Sequence, residues 1–489
     1  MDQLLGMGAM VLAVVLDAAE VLQEIIWGPF VLIPLLLLTG VFLTIRLKLL
    51  QFTKLGHSLW LAIVRRKEID AKQQGDISHY QALSTALAAT VGVGNIAGVG
   101  LAIGVGGPGA LFWMWVTGLV GMATKYSEAL LGVKYRVTDE KGEQAGGPMY
   151  YLRRGLPGGL GVLLGGAFAV FGAIAAFGIG NGTQAEAVAS SVQGITGIER
   201  WVIGVTLMVL VAVVIIGGIK SIGRFASAIV PIMIIGFIFM NLLVLIISYD
   251  QIGNAFVLVF TDAFTGTSAV GGFAGAALML VVRTGVARGI FSNESGLGTG
   301  AIAAAAAKTD QPVRQAMVSM TQTFIDTIIM VTLTAMTIIV TGAWSAEVEP
   351  GENEDMGVML TSSAMEQGLS PLGSGMAGFG VIFIASAVAI FAYTTMIGWS
   401  YYGERCMVYL GGRKLVMPYR VVFIGVIFIG ATADIEPVWM FSDIANGLMA
   451  LPNLVGLLLL SPVVVAESKK FFCHPDWRNP DAVMEDVRS

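Results

Sequence analysis

From Ile77 to Thr124 the chain runs for 48 residues without a single Asp, Glu, Lys or Arg. A helix needs about 20 apolar residues to cross the hydrocarbon core of a bilayer. The run is therefore too long for one span, and Gly106-Gly107-Pro108-Gly109 in its middle marks a turn between two. Further charge-free runs cover 25–45, 155–185, 201–219, 225–249, 263–282, 327–346, 367–403 and 444–466, with a weaker one at 421–433, giving eleven expected spans. Composition agrees, because 12% of the residues are charged against about 25% in soluble proteins. So few charges cannot coat a soluble body of 489 residues, and most of the exterior must face lipid. The expectation is an all-α polytopic membrane protein. A water-soluble enzyme is excluded, and no basic patch offers itself to nucleic acid.

Basic residues set the orientation, since Lys and Arg are retained on the cytoplasmic side of short loops. Eleven spans with the N-terminus outside send the segments around 46–76, 134–154, 220–224, 283–314 and 405–420, and the C-terminal tail, to one side. Of 28 basic residues, 27 then lie there and Arg200 alone is opposite. The segment from Gly342 to Pro371 holds Glu347, Glu349, Glu352, Glu354, Asp355 and Glu366 but no Lys or Arg, as an external loop should. The N-terminus, with Asp2, Asp17, Glu20 and Glu24, lacks the positive region of a signal peptide and reads as an external lead-in helix. Between Leu49 and Lys67, Phe52, Leu55, Leu59, Trp60 and Ile63 alternate with Lys54, Arg65 and Arg66, the pattern of an amphipathic helix on the cytoplasmic face. A charged linker is the alternative.

Several chemistries lack their residues. His57, His79 and His474 all lie in or beside cytoplasmic segments, which argues against a proton relay or zinc site inside the membrane. Cys406 and Cys473 imply no disulfide framework. There is no GxxxxGK[ST], HExxH or GxSxG run. A transporter, a channel or a structural membrane subunit remains.

Two glycine-rich segments separated by five spans point to interrupted helices: Ala88 to Gly100, and Gly266 to Gly275, each with four glycines. Glycine costs about 1 kcal/mol against alanine inside a helix. Where a span unwinds, freed N–H groups hold a carboxylate and freed carbonyls hold a cation, chemistry suited to an amino acid with sodium. Close helix packing is the alternative use of such glycines. The two segments occupy equivalent places in consecutive five-span units of opposite orientation, as in an inverted repeat. Phe177, Asn181 and Gln184 fall at i, i+4 and i+7, one helix face, either for substrate or for tying helices together. Thr395 and Trp399 share another, where Trp399 caps a pocket or anchors at the interface. Asp326 is the deepest acid and a coupling candidate. Glu128 beside Lys125 reads as an ion pair at the cytoplasmic edge, with Glu186 similar near the external end.

Four motifs carry a family resemblance: Thr85 to Val99 (TALAATVGVGNIAGV), Gly146 to Tyr151 (GGPMYY), Phe177 to Asn181 (FGIGN) and Gly285 to Gly298 (GVARGIFSNESGLG). The chain resembles the alanine or glycine:cation symporter family, the sodium:alanine symporters, prokaryotic sodium–amino acid cotransporters. The resemblance implies a five-plus-five inverted-repeat core similar to the leucine-transporter fold of the amino acid–polyamine–organocation superfamily, preceded by one extra N-terminal helix. It divides the chain into a lead-in with the first span and amphipathic helix (1–76), a transporter core (77–466) and a cytoplasmic tail (467–489). The core comprises repeats at about 77–250 and 251–420, then two further helices. By the same resemblance Thr90, Gly92, Val93 and Gly94 receive the substrate, joined by Phe177, Asn181, Gln184, Gly271, Gly272, Phe273, Thr395 and Trp399. Sodium falls to the carbonyls of Ala88 and Val91 with the hydroxyls of Thr394 and Thr395, while Asn95 matches a ligand of a second sodium site. Asn293 and Glu294, following Arg283 and Arg288 on the cytoplasmic side, suit gating. The implied function is sodium-coupled import of alanine or glycine across the prokaryotic inner membrane by alternating access, with sodium as coupling ion and no other cofactor. Proton coupling through Asp326 is one alternative, and a channel or non-transporting subunit is another.

Overall fold

The computed structural model describes residues 17–28, 30–65, 74–265, 274–345, 354–433 and 436–479. Apart from a two-stranded hairpin, β1 (Val137–Thr138) with β2 (Gln144–Ala145), the regular structure among these residues is helical. In chain order the helices that frame the core are α1 (Leu32–Arg46), α2 (Leu55–Ile63), α3 (His79–Thr90), α4 (Ala97–Gly106), α5 (Ala110–Lys134), α6 (Pro148–Gly155) and α7 (Gly158–Thr196). They continue with α8 (Arg200–Ile215), α9 (Gly218–Ile247), α10 (Ile252–Thr265), α11 (Ala274–Asn293), α12 (Thr299–Ala305), α13 (Pro312–Thr341), α14 (Glu354–Leu369), α15 (Ser374–Gly411), α16 (Val416–Thr432) and α17 (Glu436–Cys473). Among the described residues six helices are long and apolar enough to cross a membrane, seven if α3 and the segment Val93–Gly106 count as one broken span. The chain is thus a multi-pass membrane protein. The shorter apolar helices α1 and α8 flank these spans.

Local chemistry explains the ends. Ser78 caps α3: its hydroxyl accepts from the Gln81 amide at 3.2 Å while the Gln81 side chain accepts from the Ser78 amide at 3.0 Å, the reciprocal box that satisfies two orphan donors. Pro148 and Pro312 open α6 and α13, where a missing N–H costs nothing.

The arrangement that positions the site is an antiparallel pair of broken helices. The first is α3–α4, bent by 64° at its break. Its partner is α11–α12, interrupted at residues 294–298. Register follows from three contacts: Ile77, at the start of α3, bridges Ala307 beyond α12; a Cβ built on Gly94 would meet Phe291 at 3.0 Å; and Gly106 lies against Val281 and Thr284. As α3–α4 rises, α11–α12 descends, and both interruptions fall at one level.

This register corrects the sequence reading. Residues 266–273 of the second glycine-rich segment lie outside the described residues, and the structure describes a break that the sequence reading did not place, at the Asn293–Gly298 motif. Arg283 and Arg288 stand on α11 toward the Gly106 end, on the opposite side of the break from Lys308 and Arg314, and Asn293 and Glu294 are at mid-level. The acidic segment after Gly342 also differs from a plain loop. Residues 346–353 are outside the described set, but Glu354–Leu369 forms α14 and docks on α4. A Cβ on Gly357 would lie 2.0 Å from the Ala97 carbonyl, so only glycine permits that approach. Thr361 secures it by donating to Ile96 O at 3.0 Å.

At the other end, the β1–β2 hairpin ties helix ends together. Arg136 donates to the carbonyls of Ala305, Ala307, Gln74 and Thr309 at 3.1, 2.7, 2.9 and 2.6 Å. Glu143 pairs with Arg405 at 3.3 Å and Arg413 at 2.7 Å. Burial would raise the Glu143 carboxyl, but these guanidinium groups, Arg413 first, hold it below its ordinary value.

Candidate substrate and ion site

α3 ends at Thr90, and Val91 leaves helical geometry with ψ at 87°. One turn of 3-10 helix, Val93–Asn95, follows before α4 resumes. The turn is held by its own asparagine, whose Oδ1 accepts from the Gly92 amide at 3.0 Å. The next two amides, of Val93 and Gly94, have no hydrogen-bond partner among the described residues. Both are buried, and a buried backbone donor without an acceptor costs free energy of the order of a lost hydrogen bond. Two polar side chains converge on the same place. A Cβ built on Gly92 would lie 2.5 Å from Thr395 Oγ1 and 3.5 Å from Gln184 Oε1. Thr395 donates to Ala88 O at 3.1 Å, whereas Gln184 Oε1 is a buried acceptor without a partner. Two open donors thus follow Gly92 in the chain and an open acceptor stands beside it, a set fit for a carboxylate on the donors and an ammonium on the acceptor.

Behind this break lies a buried carboxylate. Asp326 sits in a π-helical stretch of α13, Phe324–Val331. It accepts from Asn95 Nδ2 at 2.8 Å, Ser292 Oγ at 2.8 Å and Thr327 Oγ1 at 2.9 Å. Asn95 also donates to Ser292 at 3.0 Å. One network thereby joins both broken helices and α13, and its oxygens are of the hard kind that alkali cations prefer.

The second break is built differently. Glu294 has φ +55°, with Gly296 at +101° and Gly298 at +84°. Left-handed backbone at a non-glycine residue costs about 1–2 kcal/mol, so this turn must be held from outside. Glu128 Oε1 on α5 accepts from the Gly296 and Gly298 amides, each at 3.0 Å, and from Asn453 Nδ2 at 2.8 Å. Lys125 donates to Glu294 O at 3.0 Å, and Asn453 to Gly296 O at 2.7 Å. Lys125 and Glu128 are 3.8 Å apart with both side chains fully buried, so the pair is a clamp in the core rather than a surface pair at the edge. The Glu294 carboxylate takes the Thr299 hydroxyl at 2.5 Å and the Trp399 indole N–H at 2.8 Å.

The remaining sequence candidates divide. Phe177, Asn181 and Gln184 do not share one face, because Gly178–Gly182 is a π turn. The turn's wider winding sends Phe177 against Tyr419 and Phe423, with ring centroids 5.2 and 6.0 Å away, and Asn181 Nδ2 to Phe423 O at 2.7 Å. Only Gln184 of the three turns to Gly92. Thr394 donates to Phe391 O on its own helix at 2.9 Å, with Met233 Sδ at 3.7 Å. Trp399 is buried, so it is no lipid-interface anchor; it packs beneath Gly180 of the π turn. Gly271, Gly272 and Phe273 lie outside the described residues. Sequence reasoning missed Ser292, Thr327 and Asn453. Asn453, a polar residue in an apolar span, carried the signal that such residues usually serve a site or a structural bond.

Comparison with known proteins follows the same direction. The sequence profile of the sodium:alanine symporter family matches residues 12–481. The sodium/alanine symporter AgcS of Methanococcus maripaludis is 50% identical over 450 residues, covering 92% of this chain and 95% of that one. An uncharacterized transporter of Haemophilus influenzae is 43% identical over 456 residues, covering 92% and 95%. In Bacillus subtilis, "Probable sodium/glutamine symporter GlnT" is 34% identical over 450 residues, covering 92% and 89%. The relatives are named as transporters rather than enzymes, and the chain with its paired broken helices belongs to the sodium:alanine symporter family.

Proposed function

We propose that this protein is a secondary active symporter that imports a small neutral amino acid, alanine or glycine, together with sodium. The observation that carries this reading is the first break, where the open amides of Val93 and Gly94 follow Gly92 and the unpartnered Gln184 Oε1 stands beside it. The amides take the substrate carboxylate, and Gln184 takes its ammonium. Thr90 and Thr395 border the same space, and Trp399, one turn beyond Thr395, restricts it to short side chains. Phe177 and Asn181 support the site by fixing α7 against α16. Of the sodium ligands the resemblance implies, the carbonyls of Ala88 and Val91 and the hydroxyl of Thr395 bind the ion, while Thr394 stays bonded to Phe391 O of its own helix. A second cation site forms from Asn95, Ser292, Thr327 and Asp326, whose formal charge balances the ion.

Eleven spans with an inverted-repeat core are the architecture this function uses, and the antiparallel broken pair supports it. Basic residues still favour a cytoplasmic C-terminus, although Arg283 and Arg288 now count for the other side. One charge crossing 100 mV supplies about 2.3 kcal/mol, before any sodium gradient adds to it.

The second reading is proton coupling, favoured by the buried Asp326 carboxylate. Uptake of labelled alanine into proteoliposomes separates the two. Sodium coupling expects uptake to collapse when potassium replaces sodium, and unlabelled glycine to compete better than leucine. Asp326→Asn removes the charge and turns one acceptor into a donor; it should cut uptake about 100-fold, since losing one partner of a buried charged cluster costs roughly 3 kcal/mol or more. Uptake that persists without sodium and follows an imposed pH gradient would transfer the coupling to the proton.

A further inference from the structure

The amphipathic stretch between Leu49 and Lys67 takes no part in the site described above. Its helix, α2 (Leu55–Ile63), instead receives the far end of the chain. Beyond α17 the backbone turns back: the His474 amide donates to Phe471 O and the Trp477 amide to His474 O, each at 3.2 Å. The turn brings the Trp477 indole edge-on to His57, with ring centroids 5.0 Å apart, and to Phe472 at 5.1 Å. Arg314 on α13 holds the tail there by donating to Asn479 O at 3.3 Å.

Three basic side chains gather on that indole. Lys54 Nζ lies 4.4 Å from a Trp477 ring centroid and 5.0 Å from that of Phe472, and the Arg478 guanidinium lies 5.1 Å from Trp477. His57 completes the set and stacks on Trp60 at 5.5 Å. Ring faces attract cations, but they carry no net charge. Among the described residues none of the three side chains has an ion pair or hydrogen bond, and Asp476 pairs with none of them. Burial, then Arg478, Arg314 and Lys54, push the His57 imidazole below its ordinary value, and burial with Arg478 does the same to the Lys54 ammonium. Each charge that moves these two groups is positive, so the cluster lacks an anion.

Beside it α2 turns an apolar face outward. Trp60, Ile63 and Val64 are exposed, as are Leu49 and Phe52 just before the helix. In a multi-pass membrane protein such a helix lies at the boundary between headgroups and acyl chains, the level at which Trp side chains settle.

We propose that Lys54, His57 and Arg478, gathered on the Trp477 ring, form a binding site for one anionic phospholipid. The headgroup phosphate takes the Lys54 ammonium, the Arg478 guanidinium and the His57 N–H, and the acyl chains lie along Trp60 and Ile63. A soluble anion would answer the charge and leave the apolar face uncovered. A zwitterionic lipid would cover the face and add its own cation to the cluster. A lipid of net negative charge does both, and it ties α2, α13 and the tail together at one end of the molecule.

The test uses Cys473, which is exposed beside Phe472, while Cys406 is buried. The full-length protein with a bimane fluorophore on Cys473 is placed in phosphatidylcholine vesicles that contain a small, equal fraction of either brominated phosphatidylglycerol or brominated phosphatidylcholine. Basic side chains at a membrane surface should enrich the anionic lipid on the order of tenfold, so brominated phosphatidylglycerol should quench the bimane far more than its zwitterionic counterpart. Unbrominated phosphatidylglycerol should reverse the quenching, and inorganic phosphate should not. Lys54→Gln combined with Arg478→Gln should bring quenching down to the phosphatidylcholine level. Lys469→Gln combined with Lys470→Gln removes the same charge from two exposed lysines near the end of α17 and should leave it nearly intact. A melting curve for each double variant verifies the fold, and the lipid competition on the parent protein decides the matter without any variant. Three results would overturn the proposal: equal quenching by the two lipids, reversal by inorganic phosphate, or equal losses in the two double variants, the mark of diffuse attraction. Since the readout is not uptake, the lipid site stands or falls separately from the amino acid and the coupling ion.

Discussion

The two breaks do the same thing to a helix by opposite means. At Val91–Ile96 the interruption is stabilised from within: Asn95 folds back on Gly92, and the neighbouring amides are left open. At Glu294–Gly298 it is stabilised from without, by Glu128, Lys125 and Asn453 reaching in from α5 and α17 until nearly every exposed backbone group has a partner. An interruption with open donors is a place to bind. One that is filled by side chains is a joint, and it stiffens the wall against which binding occurs. α15 touches both, through Thr395 at the first and Trp399 at the second.

The sharpest way to break this contrast is Glu128→Ala. It strips the Gly296 and Gly298 amides of their acceptor and leaves buried Lys125 without its counter-charge, a loss of about 3–5 kcal/mol. The expected result is a large drop in thermal stability of the purified protein. Glu128→Gln keeps an oxygen for the amides and should recover part of it. If Glu128→Ala were as stable as the parent while losing substrate affinity, the second break would be a binding element after all.

Next in size is Gly92→Ala. The added methyl would sit 2.5 Å from Thr395 Oγ1, and overpacking of this kind costs about 1–3 kcal/mol. Here the loss should fall on alanine affinity, with melting temperature shifted far less than by Glu128→Ala. Because the clash is with one hydroxyl, Thr395→Ala should relieve it, and the double variant should bind alanine better than Gly92→Ala alone. Failure of that rescue would mean that the methyl obstructs the site itself.

The contrast also explains what could be read in advance. Charge-free runs announce membrane helices because charges are excluded from lipid, and the first break is legible because its glycines and its stabilising asparagine are within four residues of one another. The second break is not, since its partners Glu128 and Asn453 are 168 and 157 residues from the glycines they hold. Counting glycines pointed to Gly266–Gly275, most of which lies outside the described residues, and could not find a turn whose partners are so distant in the chain. The loop-charge rule placed Arg283 and Arg288 on one side with Lys308 and Arg314, whereas the register of the two broken helices sets the pairs on opposite sides of the break. The face shared by Phe177, Asn181 and Gln184 assumes 3.6 residues per turn, an assumption the π turn at Gly178–Gly182 cancels.

The smallest effect separates two adjacent hydroxyls. Thr394 and Thr395 are neighbours in the sequence, and the resemblance assigns both to sodium, yet their geometry differs. Thr395 crosses to Ala88 O of the first break, while Thr394 returns its proton to Phe391 O of its own helix. Such back-bonding adds little to helix stability. Valine is close in volume to threonine, so each Thr→Val change removes a hydroxyl with little change in packing. Thr395→Val should raise the sodium concentration for half-maximal alanine uptake about tenfold, equivalent to about 1.4 kcal/mol and within the range for a lost buried hydrogen-bonding group. Thr394→Val should shift it less than about twofold, since its present bond is local. Equal shifts would show that Thr394 leaves Phe391 O for the ion, making the cation site more open-armed than this arrangement of α15. No shift in either would move sodium entirely to Asn95, Ser292 and Asp326, and the first break would then serve the amino acid alone.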